Sequence, residues 1–83
     1  MKDTKVEMCD FLRGADKRER AEVAAVCNGS VGYLYQVAGG HRYASAIMAA
    51  RLEEATRRVA EGTDGRLAAV PRRSLVRFPE IFD

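Results

Sequence analysis

Gln36, Tyr35 and Val31 share one side of a short helix expected over Val31–Ala38, with Gly32 between them. A glutamine amide holds a donor and an acceptor in one plane, the pattern that an adenine edge presents in the DNA major groove. Tyr35 can lie against a thymine methyl or reach a phosphate. Val31 offers an apolar contact, and Gly32 lets backbone approach backbone. Ser30 caps this helix, and a capped helix N-terminus with free N–H groups is an anion site suited to a phosphate. His41 and Arg42, just beyond Gly39-Gly40, are placed for the sugar-phosphate backbone together with Tyr43 and Tyr33. Two of these side chains also have an ordinary structural use: Tyr33 half-buried against the next helix, Gln36 as a solvated polar residue.

Other chemistries find less support. Cys27 and His41 suggest a nucleophile and a base, but Cys27 falls on the inward face of its helix, where a thiol is inert packing. Cys9, Cys27 and a single His have no metal-ligand spacing, and two cysteines are too few for a disulfide scaffold. We therefore expect no enzyme, no metal, no cofactor and no small-molecule substrate.

Net charge decides little: 14 Lys and Arg against 12 Asp and Glu leave +2, too little to attract nucleic acid in bulk. Distribution is more telling. From Val23 through Leu52 there is no Asp or Glu, whereas His41, Arg42 and Arg51 lie inside that stretch. A phosphate backbone would meet no like charge there.

The elements that must hold these residues follow from caps and periodicity. Thr4 is a cap for a helix over Lys5–Arg13, with Met8, Phe11 and Leu12 on one face and Gly14 ending it. Asp16 and Glu19 form a capping box that opens a helix to about Cys27, its inner stripe being Arg20, Val23, Ala24 and Cys27. Asn28-Gly29 accept a left-handed backbone and force a sharp turn. After Ser30 comes the short helix, seated by Leu34 and Val37. Ser45 then caps a longer helix to about Val59, with Met48, Leu52, Ala55 and Val59 inward and Glu54–Arg58 as a favourable pair on its surface. Glu61–Gly65 reads as a loop and Arg66–Val70 as a strand or extended connection. Pro71–Leu75 reads as one helical turn, and Phe78, Ile81 and Phe82 form an apolar tail that folds back or covers a second subunit.

Two helices joined by a three-to-four-residue turn, small residues on the first and a short capped second, make the layout of a DNA-binding helix-turn-helix. The run Ser30-Val31-Gly32-Tyr33-Leu34-Tyr35-Gln36-Val37-Ala38-Gly39-Gly40-His41-Arg42, preceded by Phe11–Gly14 and Glu19–Ala24, resembles the YdaS-type members of the Cro/lambda-repressor-like family. Asn28 stands where that family usually has Gly. The resemblance spans about residues 6–58 and implies an all-α, compact four-to-five-helix lambda-repressor-like domain with an apolar C-terminal tail. It also implies operator binding in phage or prophage regulation, or an antitoxin-like role. A helix-turn-helix-shaped protein-interaction module that grips another regulator is the alternative.

At 83 residues, 47% hydrophobic and 31% charged, the chain has room for one soluble globular domain. We divide it into residues 1–60, the DNA-binding part, and 61–83, an extension that packs on the core or forms a dimer contact. A homodimer is expected, because one short helix reads few base pairs and two-fold symmetric proteins read palindromes. No apolar run is long enough for a membrane span and the start lacks a signal-peptide core, so a cytoplasmic location is expected.

Overall fold

Three of the four α-helices open on a side chain that accepts from an N–H group in the first turn, where no carbonyl is available within the helix. The structure, a computed structural model, describes residues 7–83. Helix α1 (Met8–Gly14) follows Glu7, whose N–H donates to the Asp10 carboxylate at 3.4 Å. The start is thus Met8 rather than Lys5, and the expected Thr4 cap lies outside the described residues. Asp16 and Glu19 open α2 (Lys17–Ala24) by exchanging bonds of 2.7 and 2.9 Å, the reciprocal box expected. Ser30 Oγ accepts from Tyr33 N at 3.1 Å and opens α3 (Val31–Ala38). Ser45 Oγ accepts from Met48 N at 3.1 Å and opens α4 (Ala46–Glu61), two residues longer than expected.

The fold is all-helical, and the described residues contain no strand. Helix α2 does not run to Cys27 as an α-helix. It tightens into a 3-10 turn at Ala25–Cys27, and Asn28 (φ 62°) and Gly29 (φ 77°) then reverse the chain in the left-handed region. Gly29 N–H donates to Ala24 O at 2.8 Å, closing the helix end.

One apolar cluster lies at the centre. Met8, Phe11 and Leu12 of α1, Val23 and Ala24 of α2, Leu34 of α3 and Ala49 and Leu52 of α4 are all buried in it. The inward face of α4 is turned by about one residue from the expected stripe: Ala49, Leu52, Thr56 and Ala60 are buried, whereas Met48, Ala55 and Val59 are half-buried at its margin. Small Ala49 and Ala60 let neighbouring elements approach closely, and Thr56 is inside because its hydroxyl has work there. It donates to Leu52 O at 2.8 Å and accepts from Val70 N at 2.9 Å.

Beyond α4 the chain runs without regular structure, then makes 3-10 turns at Arg72–Ser74 and Pro79–Phe82. Leu67, Val70, Leu75 and Val76 enter the same core. This segment approaches α1 at Gly14: a Cβ there would lie 3.0 Å from Leu67 Cδ2, and Arg66 Nη1 donates to Gly14 O at 2.6 Å. Thr56→Val keeps the shape and removes the acceptor, so the buried Val70 N–H is left unpaired. The expected loss is about 1–3 kcal/mol in urea unfolding, and Thr56→Ser, which keeps the hydroxyl, should lose less. A Thr56→Val midpoint equal to the parent's would show that this bond adds nothing.

Candidate nucleic-acid interface

Helix α3 is seated by Leu34, which is 0% exposed, and it packs against both α1 and α2. The α1 end of this seat is braced by Arg20, whose Nη1 donates to Leu12 O at 3.2 Å and Ala15 O at 2.7 Å. Those are the open carbonyls at and just beyond the end of α1, so Arg20 faces inward as expected, but for hydrogen bonding rather than packing. At the far end of α3, Gly40 (φ 79°) turns the chain and His41 N–H closes back on Gln36 O at 2.9 Å. A Cβ at Gly39 would lie 3.0 Å from the exposed His41 ring and 3.4 Å from Tyr35 O, so a side chain there would have to displace that ring.

The outward residues of α3 divide into two groups. Tyr35 (50% exposed), Gln36 and Gly32 stand in solvent, with Ser30 exposed at the helix start. Val31, expected to face away from the core, is instead half-buried and packs against it; Tyr33 is half-buried against the core too, so of its two readings the outward one does not hold. An eight-residue helix held on two sides by α1 and α2 has a wider buried arc than a single Leu34–Val37 seam provides, so its flanking apolar residues are drawn in.

The two groups are linked through Arg42. Its Nη1 donates to Gln36 Oε1 at 3.2 Å, and its guanidinium lies 5.1 Å from the centre of the Tyr33 ring. Tyr33 therefore supports Arg42 rather than reaching outward by itself. Burial raises the Tyr33 hydroxyl's pKa, with Arg42 pulling the other way, so it stays a neutral hydrogen-bonding group. A carbonyl oxygen has two lone pairs, so Gln36 can accept from Arg42 and from a base edge together, with its amide plane already oriented. The i, i+6 spacing across a glycine corner gave no sign of this pairing in the sequence.

Gly32 adds a separate observation. A Cβ there would meet nothing closer than Ser30 Oγ at 3.9 Å, so the protein's own packing does not require glycine. Within a helix glycine costs about 1 kcal/mol relative to alanine. His41 and Tyr43 are exposed on the loop after α3, Tyr43 at 55%. Cys27 is buried, its thiol directed to Ser30 O at 3.6 Å and its pKa raised by desolvation, which leaves it a poor nucleophile. Among the described residues, no group of three or more His, Cys, Asp or Glu is placed to hold a metal, and no helix is long and apolar enough to cross a membrane.

Comparison of the chain with protein-family models, with curated proteins and with solved structures finds no match.

Proposed function

We propose that this protein is a sequence-specific double-stranded DNA-binding regulator of the YdaS-type, Cro/lambda-repressor-like kind. Helix α3 enters the major groove of an operator, and occupation of that site blocks polymerase. The carrying observation is the Gln36–Arg42 pair on a rigidly seated short helix: a base-reading amide oriented by a cation at the helix end. The order α2, left-handed turn, capped α3 supports the helix-turn-helix reading. In it Gln36 reads adenine, Tyr35 meets a thymine methyl, half-buried Val31 offers only its outer edge as an apolar contact, and Gly32 gives the close approach. Ser30, His41, Arg42 and Tyr43 touch phosphates, and Tyr33 acts through Arg42.

A homodimer completes the proposal. Phe78 and Ile81 of the C-terminal segment are 57% and 53% exposed, and Ile47 on α4 is 69% exposed, so apolar surface remains for a second copy. A palindromic site would be its mark.

Paired substitutions test the reading. Gln36→Ala is expected to cost about 1–3 kcal/mol on the best duplex and to relax preference at one base pair. Gly32→Ala is expected to raise stability by up to about 1 kcal/mol while weakening duplex binding. Opposite signs in melting and in binding identify a face shaped for a ligand. If both variants bind duplex as the parent does, α3 is not the reading element, and a tight protein partner without duplex binding would favour the interaction-module alternative.

A further inference from the structure

Beside the end of α3, a cleft of about 310 Å³ opens between the Gly40–Tyr43 loop and the C-terminal segment. Arginines line it from both walls: Arg42 from the loop, Arg73 and Arg77 from the segment. Glu7 is the one carboxylate among its described lining residues. The two walls are tied, since Ala44 N–H donates to Leu75 O at 2.8 Å. The three guanidinium groups are therefore carried on a single frame.

What those cations contact is informative. Among the described residues Arg42 and Arg77 make no ion pair: Arg42 rests on the Gln36 amide and the Tyr33 ring, and Arg77 lies 5.5 Å from the centre of the Phe78 ring. Arg73 alone is neutralised, by Asp83, which keeps the Asp83 carboxyl below its usual pKa and raises that of Arg73. Both partners are solvent-exposed, so a stronger anion can replace the carboxylate. With Asp83 on Arg73 and Glu7 in the lining, the cleft keeps two cations, Arg42 and Arg77, without an ion-pair partner among the described residues, and a concave surface carrying such cations attracts an anion. Arg42 belongs both to this cleft and to the Gln36 pair, which places that anion beside whatever α3 reads.

We infer that the cleft is a clamp for a backbone phosphate of the duplex read by α3, with the C-terminal segment as its second arm. The inference rests on the DNA-binding reading and extends it to residues outside the helix-turn-helix. In the free protein Asp83 occupies Arg73; on the duplex a phosphate takes its place. Base preference stays with α3, while the clamp contributes salt-sensitive affinity.

The test is the salt dependence of binding to the duplex selected by the full chain. Replacing Arg73 and Arg77 together by Ala is expected to make the log K against log salt slope shallower by about one to two units, without changing base preference. Asp83→Asn, which removes no cation, is expected to tighten binding at low salt. An unchanged slope in the double variant, with parent-like melting, overturns the clamp while leaving the DNA reading intact. So does weaker binding by Asp83→Asn. If the full chain binds no duplex but does capture an acidic peptide, the clamp and the DNA reading fall together.

Discussion

A chain ending at Gly65 is expected to lose cooperative folding, although it retains all four α-helices. Removing residues 66–83 takes Leu67, Val70, Leu75 and Val76 out of the core, each of them at most 7% exposed. At roughly 1.5–3 kcal/mol for each buried aliphatic side chain, the loss is about 6–12 kcal/mol. Total stability of an 83-residue domain is about 4–12 kcal/mol. The loss is therefore as large as the whole. Polar connections go too: the Val70 N–H bond to Thr56, and the Arg66 contacts to Gly14 and Glu19 that join the segment to α1 and α2. Circular dichroism through a thermal ramp measures this directly. The expected trace is a broad, non-cooperative loss of helix, and a sharp melt near the parent's would show that residues 7–65 hold themselves together. Substitution of exposed Phe78 and Ile81, rather than truncation, is accordingly the sound way to probe a dimer contact.

Leu34→Ala is expected to have the second largest effect, and it should separate stability from recognition. Leu34 is fully buried where α1, α2 and α3 meet, and a leucine-to-alanine change in such a place costs about 2–5 kcal/mol. Its removal loosens the one anchor that is entirely inside, so α3 should be the first element to fray. Hydrogen exchange should show this as faster exchange of the Tyr35–Ala38 amides before those of α4. Duplex affinity should fall more than global stability predicts, because a helix that is seated only part of the time reduces affinity by that fraction. Uniformly faster exchange, with affinity following global unfolding alone, would mean that α3 does not move independently.

Local chemistry made much of the fold legible from sequence. Asp16 with Glu19, Ser30 and Ser45 are caps because their side chains accept the N–H groups a helix start leaves open, and all three act as expected. Asn28-Gly29 tolerate a positive φ and both adopt one. Where the reading missed, a non-local contact decided. Thr56 looks polar along α4 yet is buried, because Val70, fourteen residues later, needs an acceptor. Period alone points Val31 outward and leaves two readings for Tyr33, whereas packing against the core half-buries both. The candidate site shows the same division. Exposure of Tyr35 and Gln36 follows from the spacing around Leu34, but the Gln36–Arg42 bond depends on how the Gly39-Gly40 corner folds back. The arginines of the C-terminal segment gave no local sign of sharing a cleft with Arg42, since the Ala44–Leu75 bond joins positions thirty-one residues apart.

The central claim is that the exposed face of α3 reads base edges in duplex DNA. Selection of bound duplexes from a random-sequence pool by the full chain tests it most directly, with sequencing after each round. The expected result is enrichment of one palindromic motif with half-sites about one helical turn apart, and loss of preference at a single position in each half-site when Gln36→Ala replaces the parent. Retention of random duplexes without enrichment, or the same motif selected by both proteins, would contradict it.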